Sequence, residues 1–453
     1  MSGNFNPSKA LITKALLKNL SGATEEITAL IGGFEIKQSI ASTAWNIVLS
    51  VGDSIGLLEG AREFGELKGE EEIELEIQCM DFEPPTKAIL NAYVIRIDNV
   101  QPMGSGRGLF YDMHLISKTT FEASTKRVTS AFKERTASKV AQEIFSQYYG
   151  KMGGTSNMAA QQLPYPKDVR KSLGLKAVYF EESADTLSLA TIIPNLPAAS
   201  AMEFVANRSY SEKSKSSSFR FFETLTSYFW VSDEWLIEFG NRNPGRNMPL
   251  VYNPISSLDP RDKDLMRKTI ENMYNDKRVS DMDDIHSGGY KNRAFIIDLL
   301  RGKVEDKTFE YKPGEFVEMG GGSITNDTHT NQWINKYTTK NNAQRFFVYK
   351  DYKEKNPGVN RPNQFHAEIV SQRLKHEHHI NYMTATAKLK GRLDIEPGMI
   401  VDIKASKMSN VGTKEGEENK RLSGNYLVHS TNHTMTNNVL ETQLTLIRYM
   451  SEK

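Results

Sequence analysis

Four consecutive residues, His376, Glu377, His378 and His379, carry side chains that often bind zinc. In a strand, His376 and His378 would point to the same face, and two imidazoles on one face can ligate zinc. The run lacks the His-Glu-x-x-His spacing of a zinc protease, and no third ligand is evident nearby in the sequence. A solvated histidine patch is therefore favoured over a metal site.

Acidic residues are the next candidates for chemistry. A glycosidase needs two carboxylates on a rigid cleft with separated pKa values. Asp281, Asp283 and Asp284 stand in a loop-like run, and Glu71 to Glu76 are assigned to a solvated strand face. The sequence therefore predicts no catalytic residue and no enzyme activity.

Two glycine-rich runs resemble phosphate cradles in composition, because such loops expose backbone amides to anions. Gly104 to Gly108 lies between two strand-like segments, with no Lys-Ser/Thr pair and no helix after it, so a hairpin loop is predicted. Gly320 to Gly322 indicates a flexible loop. Neither a Walker motif nor a dinucleotide fingerprint is present, so no cofactor, cofactor-binding residue or metal-binding residue is predicted.

The aromatic run Tyr228, Phe229 and Trp230 could stack bases or sugars, as single-strand binders do. No basic residues alternate with these rings, and packing in a core or between subunits is favoured. The single Cys79 cannot form an intrachain disulfide, and its alternating apolar neighbours indicate a small buried side chain. One thiol also fits a reducing cytoplasm.

Length and composition limit the remaining possibilities. A chain of 453 residues is too long for one core, and two to four domains are expected. Its 57 Lys and Arg nearly cancel its 56 Asp and Glu, so no global field draws it to nucleic acid or lipid. No run of about 18 apolar residues exists, so no membrane insertion is expected. Met1 to Leu20 is predicted to form a short amphipathic helix or arm rather than a signal peptide.

The periodicity of apolar residues divides the chain into three parts. A two-residue period from Glu26 to Ser117 predicts an antiparallel, barrel-like domain. Helical spacing follows from Ala137 to Tyr148, from Ala198 to Val205 and from Leu265 to Tyr274, with an aromatic hairpin between the last two. The stretch from Arg373 to Arg448 contains four further strand-like runs.

These four runs also carry a resemblance to a known family. The order Gly-Arg-Leu, Pro-Gly-Met-Ile-Val, Leu-Ser-Gly-Asn-Tyr-Leu-Val-His-Ser-Thr-Asn-His and Glu-Thr-Gln-Leu-Thr-Leu-Ile-Arg, within residues 391–448, resembles the C-terminal barrel of the central baseplate hub protein of contractile-tailed phages, the T-even-like hub family. A relative of this barrel forms the base of injection-system spike proteins. The motifs Val-Gly-Asp at 51–53 and Gly-Glu-Glu at 69–71 resemble the first tail-tube-like domain of that family.

The resemblance implies an α+β, β-rich fold in which two tail-tube-like antiparallel β-barrel domains are joined by a mixed α/β connecting region. The implied division is a first barrel at 25–118, a connecting domain at 119–240, an insertion with part of the second barrel at 241–365, and the rest of that barrel at 366–453. The polar segments 326–362 and 404–421 fit the resemblance least well.

The function implied is that of a structural hub in the tail baseplate of a virion, synthesised in the host cytoplasm. A homotrimer with two barrels per subunit would form a pseudo-sixfold ring between the hexameric tail tube and a trimeric spike. The expected partners are the tube or tube-initiator protein, the spike or needle protein, the tape-measure protein and DNA that passes without sequence-specific binding. Two alternatives stay open: a tail-associated cell-wall hydrolase and a carbohydrate-binding module.

Overall fold

Strands dominate the described part of the chain, and its five α-helices all lie between residues 118 and 268. This arrangement confirms the predicted β-rich α+β class. The structure is a computed structural model, and it describes residues 9–60, 64–79, 86–104, 108–133, 135–149, 176–184, 190–211, 213, 217–253, 263–277, 291–299, 301–310, 316–318, 344–349, 369, 384–407, 418–419, 422–448 and 450–452.

The N-terminal part is an antiparallel sheet in the order β3-β4-β7-β6-β5-β1-β2. Its strands are β1 (Ala10–Lys18), β2 (Thr24–Glu26), β3 (Ile31–Ser39), β4 (Asn46–Asp53), β5 (Glu72–Cys79), β6 (Thr86–Pro102) and β7 (Leu109–Ser117). Ile73, Leu75 and Ile77 of β5 are fully buried, as the two-residue period predicts.

Of the predicted N-terminal helix or arm, the helix is wrong for the described part, which forms β1. This strand pairs with β5 from Ala10 to Lys18 and buries Ala15 and Leu17 in the first core. The ladder along β5 outweighs the weak helical spacing of the segment, since helix propensity is readily overridden by tertiary pairing.

The middle part combines short strands with four helices. The elements are α1 (Lys118–Ser124), β8 (Arg127–Val128), β9 (Ala131–Lys133), α2 (Ala137–Tyr148), β10 (Ala177–Phe180), β11 (Ala190–Ile192), β12 (Leu196–Pro197), α3 (Ala198–Ala206), β13 (Arg220–Glu223), β14 (Ser227–Val231) and α4 (Asp233–Arg242). Helices α2 and α3 and the aromatic hairpin β13-β14 lie where the sequence predicts them. Strand β10 adds parallel to β14, and the resulting three strands are called the aromatic sheet below.

The C-terminal part returns to strands. Its elements are β15 (Asn247–Tyr252), α5 (Lys263–Lys268), β16 (Ile270–Lys277), β17 (Lys291–Asp298), β18 (Lys303–Glu310), β19 (Phe316–Glu318), β20 (Gln344–Tyr349), β21 (Thr384–Lys390), β22 (Ile400–Ala405), β23 (Gly424–Thr436), β24 (Val439–Ile447) and β25 (Met450–Glu452). The four C-terminal strands predicted between residues 381 and 448 are present as β21 to β24.

The helix predicted from Leu265 to Tyr274 is wrong in its second half. Helix α5 ends at Lys268, and the next residues form β16, an antiparallel partner of β21. Ile270 and Met273 are buried in the core that β21 also lines. Their spacing of three residues imitates a helix because the β16-β21 ladder shifts register between Ile270 and Asn272.

The two predicted barrels are parts of one 13-stranded sheet. The first half of β23 pairs with β22, and its second half pairs with β3 from the N-terminal part. The path ends at β16 and at β2, so the ladders of the described residues do not close a cylinder. Isolated bridges join Lys9 to Val439 and Val251 to Thr269.

The hairpin of β23 and β24 passes through two hydrophobic cores. Its turn, Asn437 and Asn438, has φ of 52° and 64°, the left-handed conformation that a two-residue hairpin turn requires and that asparagine tolerates. Near the turn, Met435 and Leu440 lie in the core of the N-terminal part. Farther along, Tyr426 and other residues of the hairpin lie in the core of the C-terminal part.

Candidate functional site

Buried and partly buried polar side chains gather where the N-terminal strands, the aromatic sheet and the C-terminal strands meet. We call this group the polar junction. Its members are Gln38, Ser117, Thr120, Lys176, Glu223, Thr224, Thr226, Tyr228, Glu396, Thr431, His433 and Thr442.

Glu223, the last residue of β13, is fully buried and accepts several hydrogen bonds. Its Oε1 accepts from Ser117 Oγ at 2.6 Å and from the Tyr228 hydroxyl at 3.0 Å. Its Oε2 accepts from Thr120 Oγ1 at 2.5 Å, and Lys176 forms an ion pair with the same carboxylate. A buried charge requires such partners, so this carboxylate fixes the aromatic sheet against the end of β7 and the start of α1.

Lys176 completes this contact from the start of β10. Its Nζ donates to the carbonyl oxygen of Thr224 at 2.8 Å. The same ammonium lies 5.4 Å from the centre of the Trp45 ring and 5.1 Å from that of Tyr228. Burial lowers the pKa of Lys176, whereas the Glu223 carboxylate acts in the opposite direction.

Glu396 makes the corresponding contact from the C-terminal part. This buried residue lies between β21 and β22, and its Oε2 accepts from Thr226 Oγ1 at 2.7 Å and from Thr224 Oγ1 at 3.2 Å. Both threonines belong to the turn between β13 and β14. The turn is therefore bonded to the C-terminal part, and its Leu225 N–H donates to Gln38 Oε1 of β3 in the N-terminal part at 3.0 Å.

Gln38 and His433 face each other across the ladder that joins β3 to β23. Both side chains are buried, and Gln38 Nε2 lies 3.5 Å from His433 Nε2. Gln38 Oε1 accepts from the backbone N–H of Leu225 at 3.0 Å, and His433 Nδ1 lies 2.9 Å from Thr442 Oγ1. Burial lowers the pKa of His433 to about 4.

The aromatic hairpin is packed inside the protein, as the sequence predicts. Tyr228, Phe229 and Trp230 are at most 2% exposed. Phe229 stacks between Tyr179 and Phe222, with ring centres 4.9 Å apart on each side. Since a sugar or base must reach the face of a ring, these rings present no binding platform in this fold.

Other sequence candidates have structural roles. Gly104 and Gly108 belong to the loop of the β6-β7 hairpin, which confirms the predicted hairpin, with Met103 N–H donating to Gly108 O at 3.0 Å. Cys79 is buried, as predicted. The residues 281–284, 320–322 and 376–379 lie outside the described ones, so the histidine run, the Asp281, Asp283 and Asp284 run and the second glycine run stay predictions.

The solvated acidic face is correct for β5 but wrong for Glu71. Glu72, Glu74 and Glu76 are partly exposed and bond Lys118, Lys14 and Thr13, respectively. Glu71 is 3% exposed and accepts from the backbone N–H groups of residues 68–70 at 2.7 to 3.0 Å. Glu71 precedes the strand and lies in a turn whose backbone amides donate to its carboxylate.

Sequence reasoning missed the polar junction as a site. Its partners come from distant parts of the chain, and Ser117 and Glu223 are 106 positions apart. One signal was present, because Glu223 follows Phe221 and Phe222 in a run of aromatic residues. Among the described residues, no three or more His, Cys, Asp or Glu side chains are grouped to hold a metal ion. In the same part of the chain, no helix is long and apolar enough to span a membrane.

Comparisons with known proteins found similar structures but no similar sequence. No family model and no curated protein matches the chain. A tail protein from Neisseria meningitidis is 11% identical, with 96% of each chain covered and a TM-score of 0.49. A tail protein of prophage MuSo2 from Shewanella oneidensis is 9% identical, covering 96% of this chain and 98% of that one, with a TM-score of 0.46.

A component of the Escherichia coli type VI secretion system is also 9% identical, with 97% of this chain and 77% of that chain covered and a TM-score of 0.42. The chain resembles phage tail and baseplate proteins. This is the class of protein that the sequence motifs also resemble.

Proposed function

We propose that this chain is a structural protein of a virion tail, the central hub of a baseplate, and that it assembles as a homotrimer. Three subunits with two barrel-like parts each would form a pseudo-sixfold ring. Such a ring matches a hexameric tail tube on one side and a trimeric spike on the other. Its central opening would let the genome pass.

One observation carries the proposal: the β23-β24 hairpin lies in both cores and continues one sheet from the N-terminal into the C-terminal part. A pseudo-sixfold ring needs the two parts of each subunit to be held in one fixed relation. The ladder between β3 and β23, and a hairpin that packs in both cores, hold the two parts in a fixed relation. A flexible linker would not do so.

The ends of the sheet support the assembly. Strands β16 and β2 terminate the path of the sheet among the described residues. A terminal strand presents backbone donors and acceptors along its outer edge, which a strand of another chain can pair. These edges are the surfaces that we assign to contacts between subunits or with the tube.

The proposed partners follow from the position of a hub. They are the tube or tube-initiator protein, the spike or needle protein and the tape-measure protein. DNA would pass without sequence-specific binding, consistent with 57 basic and 56 acidic residues. The division at residues 118, 240 and 365 and synthesis in the host cytoplasm belong to the same proposal.

The two alternatives have less support. A carbohydrate-binding module that uses Tyr228 to Trp230 would need exposed rings, and these rings are buried. A cell-wall hydrolase would need two carboxylates at a cleft, whereas the junction carboxylates Glu223 and Glu396 are at most 1% exposed.

Light scattering of the purified protein over a concentration series tests the assembly. The proposal predicts that the measured mass equals that of three chains and does not fall on dilution, because obligate interfaces are large and apolar. A monomer at every concentration would contradict it. Incubation of the same sample with purified cell wall and with a glycan panel tests the alternatives, and we expect neither digestion nor binding.

A further inference from the structure

The bonds of the Thr442 hydroxyl decide which ring nitrogen of His433 donates. The Thr442 hydroxyl donates to Arg392 O at 3.2 Å and accepts from Arg392 N–H at 2.9 Å. A hydroxyl carries a single hydrogen, and we assign it to the bond with Arg392 O, which makes Thr442 an acceptor towards His433 Nδ1, 2.9 Å away. The hydrogen of the neutral imidazole is therefore on Nδ1, and Nε2 carries a lone pair.

The orientation of the Gln38 amide is fixed from its other side. Its Oε1 accepts from Leu225 N–H at 3.0 Å, and an amide nitrogen could not accept that bond. Gln38 Nε2 is thus directed to Thr431 Oγ1 at 3.3 Å and to His433 Nε2 at 3.5 Å. Each donor in this series meets an acceptor as long as His433 is neutral.

We propose that His433 and Gln38 form a proton-sensitive latch between the strands β3 and β23 and the aromatic sheet. A proton taken up from solvent by His433 Nε2 places an N–H opposite the N–H of Gln38. The clash is relieved when the Gln38 amide turns over, which directs its nitrogen at Leu225 N–H and breaks that bond. The turned amide also gives up the bond from Gln38 Nε2 to Thr431 Oγ1, and its Oε1 accepts from His433 Nε2–H instead. No covalent bond other than the new N–H is made or broken, and the latch is independent of the oligomeric state.

The charged groups on the elements around His433 are paired with one another. Asp394 acts on His433 and raises its pKa, but its carboxylate is bonded to the Arg392 guanidinium at 2.6 and 2.9 Å. On β3, Glu35 and Lys37 pair with each other, and on β24 Glu441 pairs with Lys388.

The direction of the pH effect follows from burial. Burial disfavours the imidazolium and holds the pKa of His433 at about 4, below its ordinary value of 6.5. The latch therefore contributes its full stability above pH 6.5, and that contribution is lost as the pH falls through about 4.

Amide hydrogen exchange of Leu225 tests the latch in the full chain. We expect its protection, corrected for intrinsic exchange, to fall by up to about tenfold per pH unit as the pH drops below 6.5. The amide of Ala23 serves as an internal control, because it donates at 2.9 Å to Asn19 Oδ1 with no histidine in contact. Equal pH dependence at both amides, or none at Leu225, would overturn the proposal.

Two variants separate the latch from general acid sensitivity. His433→Gln keeps a donor towards Thr442 and an acceptor towards Gln38, and we expect the pH dependence at Leu225 to disappear. His429→Gln, on the same strand, should keep it. If His433→Gln does not fold, nitrogen NMR of the natural protein decides, because a hydrogen on Nε2 at neutral pH would refute the latch.

Discussion

The ion pair joins the fully buried Glu223 to Lys176, whose side chain is 14% exposed, so each charge depends on the other more than on solvent. We predict that Glu223→Gln destabilises the protein by about 3 to 5 kcal/mol, because it leaves the Lys176 ammonium buried without its anion. Urea unfolding followed by circular dichroism measures the change.

The control for this variant is Glu74→Gln, which breaks the exposed pair with Lys14 on β1. Solvent and salt screen that pair, and we expect its unfolding midpoint to match that of the unchanged protein. Equal effects of the two variants would show that the junction is no more sensitive than the surface.

Glu181 gives the protein a pH dependence near neutrality. Its carboxylate accepts from Ser232 N–H at 2.7 Å at the start of α4, and burial raises its pKa from 4.5 to about 7. A raised carboxyl pKa stabilises the folded state below pH 4.5, and this contribution is lost as the pH rises to about 7.

We predict that Glu181→Gln removes this loss. Relative to the natural protein, the variant gains about 3 kcal/mol between pH 4.5 and 7, as the shift of the pKa implies. Denaturant unfolding at several pH values measures the gain, with Glu238→Gln on the surface of α4 as the control. A constant difference between variant and natural protein would mean that Glu181 does not titrate in this range.

At the scale of elements, the contact of β3 with β23 depends on the absence of a side chain at Gly33. A Cβ there would lie 2.5 Å from Met435 O, a backbone atom that cannot move aside alone. We predict that Gly33→Ala costs about 1 to 3 kcal/mol. The neighbouring Gly32→Ala is a matched control, since its Cβ would meet nothing nearer than Ser50 O at 3.8 Å. Thermal unfolding gives the midpoint of each variant. Equal midpoints would contradict a close contact between β3 and β23 at Gly33.

The sequence predicts correctly the helices, strands and turns that are specified by nearby residues. Helix α2 has helical spacing and a Thr136 cap that accepts from Lys139 N–H, and the β23-β24 turn has two asparagines suited to positive φ. Strand β1 and strand β16 were missed because their partners, β5 and β21, lie far away in sequence. Their conformation is decided by those ladders rather than by their own periodicity.

Apart from Glu223 in its aromatic run, the polar junction could not be predicted from the sequence, for a related reason. A buried Glu, Lys, Gln or His is indistinguishable from a surface residue until its partners are known, and those partners come from four different regions. The same holds for the ladder of β3 with β23, which pairs residues such as Ile36 and His433. Neither the periodicity of apolar residues nor the spacing of motifs indicates that the two strands pair.

At the scale of the molecule, the shared hairpin should make the two cores unfold together. Leu440 is buried in the N-terminal core but belongs to β24, which pairs with β21 of the C-terminal part. We predict that Leu440→Ala costs about 2 to 5 kcal/mol and shifts one common transition. Calorimetry measures this, and Val439→Ala, at an exposed neighbouring position, is the control. Two separate transitions, only one of them shifted, would show that the cores are independent.

The central claim concerns the assembly of three such subunits. Two barrel-like parts per chain, fixed to each other by β23 and β24, should give a ring with six similar lobes and exact threefold symmetry. Electron microscopy of the purified protein, averaged without imposed symmetry, is the most direct measurement. We predict a ring of six lobes around a central opening. Compact particles without an opening, or a ring with a number of lobes other than six, would contradict the proposed hub.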